Sequence, residues 1–205
     1  MALVVATHGH ADHVGGLPAV LEAFPPGAVL EPGEPLGDGA YLEFLAAVQA
    51  SGAEWRPARA GDRLELGAVV IHVLSPDSAW AVETVDPNEE SVVLLVEYGG
   101  RRMLFTGDAG EAVESRLAGR VGDVDLLKVG HHGSRTATGD AWLGEIKPEI
   151  AVVSVGEGNR YGHPAPEVLA RLVERGITLR RTDVEGTITI VLEGDRGAAD
   201  IRRHD

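Results

Sequence analysis

Thr7-His8-Gly9-His10-Ala11-Asp12-His13 places three imidazoles and one carboxylate within six consecutive residues. An apolar run, residues 2–6, precedes this stretch, and the glycine pair Gly15-Gly16 follows it. The pattern predicts a buried strand, a loop that carries the His/Asp cluster, and a helix that begins near Leu17. Loops at strand ends, held by a rigid sheet, are where catalytic groups tend to gather.

The cluster has the donor atoms of a metal site. Imidazole nitrogen and carboxylate oxygen suit zinc, manganese or iron, and the chain has no cysteine that could supply a thiolate. On an extended loop, His8 and His10 point the same way and can share one ion, whereas Asp12 and His13 follow the turn and can hold a second. We therefore expect two ions about 3.5–4 Å apart. The alternative is a chance clustering of polar residues on a loop.

Three further candidates follow predicted strands. Asp108 comes directly after Leu104-Phe105-Thr106-Gly107, and His131 and His132 follow the strand predicted for residues 125–129. Asp108 could bridge two metals, or it could be a helix cap. One histidine of the pair could bind the second metal while the other contacts substrate; alternatively, one is a core histidine and one is exposed. The recurrence of such residues at strand ends favours a single site along one sheet edge.

A fourth candidate, His163, follows the strand predicted for residues 150–155 and precedes a helix that begins at Pro166. Free backbone amides at a helix start can hold an anion, so His163 could bind a phosphate or protonate a leaving group. Its alternative is a structural turn histidine. The expected substrate-binding residues are Ser134, Asn159, Arg160 and His163, although exposed arginines are usually only solvated.

Composition limits the class of protein. The 205 residues are 44% hydrophobic, which is typical of a globular chain, and no apolar run approaches the ~20 residues of a membrane helix. The N-terminus lacks the basic and apolar regions of a signal peptide. A net charge of −14 argues against a broad electrostatic grip on nucleic acid, although two divalent ions would offset part of it. We expect one domain over residues 1–193 and a polar, frayed tail over residues 194–205.

Several motifs together resemble the metallo-β-lactamase superfamily. Within it, they resemble the hydrolase-like, nuclease-like C-terminal domain of the DNA-uptake channel ComEC of competent bacteria. The resemblance covers nearly the whole chain and is carried by His8-x-His10-x-Asp12-His13 with Gly15-Gly16, Phe105-Thr106-Gly107-Asp108, Lys128-Val129-Gly130-His131-His132-Gly133-Ser134, Asn159-Arg160-Tyr161-Gly162-His163-Pro164 and Arg181-Thr182-Asp183-x-x-Gly186.

The resemblance implies an α/β fold, an αββα sandwich with the metals at one edge, here without the usual N-terminal strands. That departure leaves a sheet edge exposed or open to pairing in a homodimer. A second departure concerns a third histidine ligand, which has no match; Ser75-Pro76 or residues 88–91 occupy that region. The membrane channel is absent as well, which suggests an isolated domain or a soluble relative, extracytoplasmic if it derives from such a channel.

The resemblance also implies two ions, Zn²⁺ or Mn²⁺, and their ligands. The first ion would be held by His8, His10 and Asp108. The second would be held by Asp12, His13, Asp108 and one of His131 and His132.

The sequence therefore predicts a metal-dependent hydrolase, a phosphodiesterase or DNase linked to DNA uptake. A hydroxide bridging two metals would attack phosphorus in line, and Asp12 and His163 are the expected catalytic residues. The substrate would be DNA or another phosphodiester. Two alternatives remain: hydrolysis of a small ester, lactone or β-lactam, and a non-catalytic module of the same fold.

Overall fold

A computed structural model describes residues 1–33, 39–77, 86–194 and 199–204. Two sheets packed face to face and covered by helices make up most of this part of the chain, and a two-stranded ribbon completes it. The helices are α1 (Ala11–Val14), α2 (Leu17–Ala23), α3 (Gly39–Ser51), α4 (Glu111–Leu117), α5 (Asp140–Ile146), α6 (Pro166–Glu174) and α7 (Thr182–Glu185). The strands are β1 (Leu3–Val5), β2 (Ala28–Glu31), β3 (Glu54–Pro57), β4 (Arg63–Leu66), β5 (Val69–Ser75), β6 (Val93–Tyr98), β7 (Arg101–Phe105), β8 (Leu126–Lys128), β9 (Ile150–Val153), β10 (Thr178–Arg181), β11 (Thr187–Leu192) and β12 (Ala199–His204).

The connections explain the direction of each strand. Strands β1, β2 and β3 are separated by helices and pair in parallel as one three-stranded sheet. The seven-stranded sheet has the order β10-β9-β8-β7-β6-β5-β4. Its strands β4 to β7 are antiparallel neighbours, with short turns joining β4 to β5 and β6 to β7, whereas β7 to β10 are parallel with helices in between. Parallel pairing needs such crossovers, so the alternation of strands and helices in the sequence accounts for this mixed sheet.

Side chains alternate between two buried layers along the strands. Val93 and Leu95 of β6 belong to the core formed with α4, α5 and α6. Leu94 and Val96 of the same strand belong to a core shared with β1 and β2. A third core lies between β1, β2 and helices α2 and α3, with Phe44 fully buried. Because side chains along a strand alternate between the two faces of the sheet, the layers follow the order helix, sheet, sheet, helix. The predicted αββα fold is confirmed.

The C-terminal residues differ from the prediction of a frayed tail. Residues 199–204 form β12, which pairs antiparallel with β11 from Thr187↔His204 to Leu192↔Ala199. The polar composition that predicted fraying belongs to a two-stranded ribbon in which backbone hydrogen bonds hold both strands. In the part of the chain that the structure describes, no helix has both the length and the apolar character needed to cross a membrane.

A buried carboxylate joins two helices of the outer layer. Glu114 of α4 is 5% exposed and accepts hydrogen bonds from the backbone amides of Thr138 and Gly139, which precede α5. Burial raises the pKa of Glu114 from its usual 4.5 to about 7, despite the two amide donors. The folded chain therefore keeps a proton on this carboxyl at pH values where the unfolded chain has lost it.

We expect Glu114 to make the chain less stable as pH rises. Its contribution to stability is complete below pH 4.5 and is lost as pH rises through about 7, a total of roughly 3 kcal/mol. Glu114→Gln carries no proton to lose, so the difference in unfolding free energy between pH 5 and pH 8 should shrink in urea titrations. Glu167→Gln, an exposed change on α6, should keep the pH dependence of the wild type. Equal pH slopes for Glu114→Gln and wild type would contradict this prediction.

Candidate metal centre

The first loop of the site follows β1 and turns at the short helix α1. His10 precedes α1, and its carbonyl accepts the backbone N–H groups of His13 and Val14. This turn brings His13 back beside His8, with their ring centroids 4.2 Å apart. Asp12 stays on the outer side of the turn and is exposed. The loop therefore brings the imidazoles of His8, His10 and His13 together.

The second loop follows β7 and depends on a glycine. Gly107 has a φ of 54°, and a Cβ there would lie 3.0 Å from Ser91 Cβ and 3.0 Å from Thr7 Cβ. Only a residue without a side chain lets these three backbones approach so closely. The close approach places Asp108 directly against the loop that carries His8.

The third loop follows β8 and is a 3₁₀ turn over Gly130–Gly133. His131 and His132 both have left-handed backbone conformations, with φ of 45° and 53°. Consecutive side chains on a strand point to opposite faces, but this turn lets both imidazoles approach the same carboxylate. Left-handed non-glycine residues carry strain and cluster at functional sites.

Asp108 is the centre of the cluster and is 3% exposed. Its Oδ2 lies 3.2 Å from His13 Nε2 and 3.5 Å from His132 Nε2. The Nε2 atoms of His8 and His131 are each 3.9 Å from the same oxygen. Side chains from three separate loops therefore converge on one buried carboxylate.

Among the residues that the structure describes, two groups of donors are compact enough to hold a metal ion, each with ligand atoms within 4.8 Å of one another. One group is His8, His13 and Asp108, and the other is Asp12, His13 and His132. His10 stands beside the first group, because its Nδ1 is 3.1 Å from His8 Nε2. His13 belongs to both groups, so the two candidate sites adjoin.

Hydrogen bonds fix the orientation of the rings. His132 Nδ1 lies 2.7 Å from the Ser154 carbonyl oxygen, which can only accept, so Nδ1 carries the proton and the Nε2 lone pair is free. Thr7 Oγ1 lies 3.1 Å from His8 Nδ1 and 3.2 Å from His13 Nδ1. A hydroxyl oxygen that accepts from both Nδ1–H groups directs both Nε2 atoms toward Asp108. Such contacts orient metal-binding histidines in proteins.

The electrostatics favour a neutral His8 ring beside a charged Asp108 carboxylate. Burial, followed by the neighbouring His13, lowers the pKa of His8 to about 3, so its ring is neutral at pH 7. Burial alone would raise the pKa of Asp108, but the hydrogen bond from His13 and the charges of His13, His132 and Lys128 hold that pKa well below its usual value. Imidazoles that are neutral and carboxylates that are ionised are in the protonation states that bind metal.

A further observation fits a cation at this point. Asp108 Oδ1 is buried and has no hydrogen-bond partner, and the Lys128 ammonium is 4.0 Å away. A buried carboxylate oxygen without a partner is costly unless a cation compensates it. The donor set of imidazoles and carboxylates, together with this oxygen, fits divalent metal ions of the zinc and manganese kind.

The predicted substrate-binding residues lie in different places relative to the cavity. His163 lines a cavity of about 360 Å³ with His10, Asp12, Asp108, His131 and His132, and its ring centroid is 5.8 Å from that of His131. Arg160 is exposed and its guanidinium contacts Tyr161. Ser134 is 6% exposed, and its hydroxyl is hydrogen-bonded to that of Thr136. Their contacts with substrate remain predictions.

Asn159 holds its own loop together. Its Oδ1 accepts from the backbone amides of Tyr161 and His163, and its Nδ2 donates to the carbonyls of Gly156 and His163. The side chain therefore brackets the turn that carries His163.

Sequence reasoning did not assign a role to three residues of the site. Thr7 lies between two imidazoles, and Lys128 donates to the Gly107 carbonyl beside Asp108. Ser91 is fully buried; its hydroxyl accepts from the Asp108 amide and lies 3.4 Å from His8 Nδ1. Thr7 and Lys128 lie in the same sequence motifs as candidate ligands, so the motifs could have pointed to them. Nothing in the sequence around Ser91 points to a role in the site. Of the two segments considered for the third histidine, residues 88–91 contribute this contact.

The fold and this constellation define a class of metallohydrolase. Residues 3–157 match the sequence profile of the Metallo-beta-lactamase superfamily, and the chain belongs to that family. The family implies divalent metal binding, for which the His/Asp groups are the candidate ligands.

The relatives include a ComE operon protein, a recombination protein and Competence protein ComA of Neisseria gonorrhoeae. The chain is 33% identical over 194 residues to ComE operon protein 3 of Bacillus subtilis, an alignment that covers 90% of this chain and 24% of that protein. It is 30% identical over 193 residues to Recombination protein 2 of Haemophilus influenzae, covering 94% and 22%. The chain thus spans about a quarter of the length of these relatives.

Among solved structures, CmlA, a diiron beta-hydroxylase from Streptomyces venezuelae, superimposes with a TM-score of 0.62 at 14% identity. The match covers 100% of this chain and 45% of that one. At this identity the likeness concerns the fold.

Gly133→Ala should damage the turn that carries His131 and His132. Gly133 has a φ of 81°, and a Cβ there would lie 2.6 Å from Pro164 Cβ. We expect a loss of about 2–4 kcal/mol in unfolding free energy, from left-handed strain together with overpacking, measured by denaturant titration. Gly144→Ala is the matched control, because nothing lies within 4 Å of a Cβ at that position within α5. It should stabilise the chain by about 0.5–1 kcal/mol, and equal effects of the two changes would refute the strain argument.

Proposed function

We propose that this metallo-β-lactamase-fold hydrolase cleaves phosphodiesters and that its substrate is DNA. The observation that carries the proposal is the convergence of imidazoles and carboxylates on the buried Asp108, at the base of an open cavity of about 360 Å³. Paired metal sites suit phosphodiester hydrolysis because two cations can stabilise both the attacking and the leaving oxygen.

The ligands divide between two ions in this proposal. His8, His10 and Asp108 hold the first ion, with His13 near enough to contribute. Asp12, His13, Asp108 and His132 hold the second. His132 is preferred to His131 because its Nε2 lies 3.4 Å from Asp12 Oδ2 and 3.1 Å from His13 Nε2. The ions are Zn²⁺ or Mn²⁺, which imidazole and carboxylate ligands both suit.

When bound, the two ions supply Lewis-acid stabilisation of negative charge and acidify a water. His131 and His163 then face the substrate from one side of the cavity. Burial, together with the neighbouring His131 and His132, lowers the pKa of His163, so its ring is neutral at pH 7 and donates a hydrogen bond to a phosphate or leaving oxygen. Asp12, exposed at the opposite side, can orient the attacking water as well as hold a metal.

DNA is preferred to a small ester because of the relatives. Their names connect them with competence and recombination, processes in which DNA is handled. The net charge of −14 means that phosphates are held locally, at the metals and by single side chains, and not by a broad basic surface. The DNA-uptake setting and the extracytoplasmic location belong to the same proposal.

Asp108→Ala should abolish metal retention and phosphodiester cleavage together, because the change removes the carboxylate shared by both ions. The measurement is elemental analysis of bound metal, together with cleavage of bis(4-nitrophenyl) phosphate and of DNA in added Mn²⁺ or Zn²⁺. Asp123→Ala, an exposed residue paired with Lys147, is the matched control and should retain both properties. If the wild type cleaved a chromogenic β-lactam but neither phosphodiester, the proposed function would be wrong and hydrolysis of a small ester, lactone or β-lactam would be favoured.

Thr7→Val should weaken metal binding while leaving the fold intact. Valine keeps the shape of threonine but removes the oxygen beside His8 Nδ1 and His13 Nδ1. We expect the metal dissociation constant to rise about 10–100-fold, which is typical when a histidine ligand loses its orienting contact. Thr7→Ser keeps the hydroxyl and should stay near wild type in a competition titration with a chromogenic chelator. Equal affinities for the valine and serine variants would show that the hydroxyl has no orienting role.

A further inference from the structure

Tyr161 is an exposed aromatic ring at the shared rim of two cavities. Its side chain is 66% exposed, although tyrosine rings usually gain by burial. One cavity, of about 360 Å³, contains Asp108 and the imidazoles. The other, of about 290 Å³, is lined by Ser154, Gly156, Asn159 and Thr182. Both are bordered by the same four residues: Asp12, His132, Tyr161 and His163.

The ring is held in place by its surroundings. Asn159 fixes the turn through hydrogen bonds to the backbone on both sides of Tyr161. The Tyr161 and His163 rings are nearly parallel, with an interplanar angle of 19° and centroids 6.0 Å apart. Arg160 Nη2 donates to the Tyr161 hydroxyl at 2.9 Å, and its guanidinium carbon is 5.1 Å from the ring centroid. A ring fixed in this way can bind a flat partner at a small cost in side-chain entropy.

Two polar side chains of the second cavity already use their hydrogen-bonding groups within the protein, so they contribute little to recognition of a base edge. The Asn159 amide is fully engaged within its loop. The Thr182 hydroxyl accepts from the Val155 amide and donates to the Val155 carbonyl. Stacking on the exposed Tyr161 ring tolerates any sequence because every base has a π-face.

The position of Tyr161 relative to the metal centre determines which phosphodiester of a bound strand lies near the metals. The ring centroids of Tyr161, His163 and His131 follow one another at 6.0 and 5.8 Å, and His131 Nε2 is 3.9 Å from Asp108 Oδ2. A base on Tyr161 therefore keeps its own sugar-phosphate in the cavity that contains Asp108. Bases within a duplex are already stacked on one another, so only an unpaired base can occupy this place.

We propose that Tyr161 stacks against a nucleobase of single-stranded nucleic acid and thereby positions the adjoining phosphodiester over the metal centre. This inference rests on the proposed phosphodiester hydrolysis and adds the strandedness of the substrate and a sequence-tolerant base subsite. Stacking also supplies affinity that an acidic chain cannot obtain from a basic surface.

Equilibrium binding of a labelled oligothymidylate of about eight nucleotides tests the proposal. Fluorescence anisotropy with a cleavage-resistant, phosphorothioate-linked strand in added Mn²⁺ or Zn²⁺, at one fixed salt concentration, measures binding to the metal-loaded chain. Tyr161→Ala should raise the dissociation constant about tenfold, within the range of base–aromatic stacking, whereas Tyr161→Phe keeps the ring and should bind like wild type. Tyr98→Ala, which removes another exposed tyrosine outside both cavities, is the matched control.

An abasic oligonucleotide of the same length isolates the base. Wild type should bind it about as weakly as Tyr161→Ala binds oligothymidylate, and Tyr161→Ala should lose nothing further. Equal dissociation constants of wild type and Tyr161→Ala for oligothymidylate would overturn the stacking proposal, as would an equal loss in Tyr98→Ala.

Cleavage of bis(4-nitrophenyl) phosphate by wild type, a substrate without a base, separates this proposal from the proposed function. If wild type cleaves that ester and Tyr161→Ala binds oligothymidylate as tightly as wild type, only the stacking site fails. If wild type cleaves no phosphodiester but Tyr161→Ala loses about tenfold in binding, the stacking site stands and the catalytic proposal fails.

Discussion

The site depends on one buried carboxylate and the imidazoles that surround it. Asp108 is taken out of water, which costs free energy unless positive charge or hydrogen-bond donors compensate it. His13 and His132 approach one oxygen, while the other has no hydrogen-bond partner and faces Lys128 at 4.0 Å. The arrangement suits a cation better than it suits an empty pocket. Each loop around it is positioned by that requirement.

The sandwich supplies the rigid support for these loops. Strands β7, β8 and β9 are adjacent and parallel in one sheet, so the loops that follow them meet at the same edge. The loop after β1 reaches this point from the other sheet, and Gly107 lets it approach within van der Waals contact. Left-handed backbone at His131 and His132 turns both rings inward. Part of the backbone strain therefore lies at the site, where the surrounding layers can hold it.

The charge of the chain shapes how a nucleic-acid substrate would be held. A net charge of −14 excludes the broad phosphate grip of many nucleic-acid-binding proteins, so recognition is expected to be local. In the proposed function the cluster around Asp108 holds one phosphodiester, and the exposed Tyr161 ring borders the same cavity. Asn159, a predicted substrate contact, also fixes the turn between them. Supporting residues that hold a loop rigid in this way keep the binding side chains in the correct positions.

The sequence by itself determined the family, the αββα layers and the strand ends at which the candidate ligands lie. Periodicity and the spacing of His8, His10 and His13 are local properties, and they are readable from a few neighbouring residues. Only the tertiary structure decided that the ring of His132 faces Asp12, that the hydroxyl of Ser91 meets Asp108, and that residues 199–204 pair with β11. Those contacts join residues far apart in the chain, or depend on backbone angles within one turn, and neither leaves a periodic trace in the sequence.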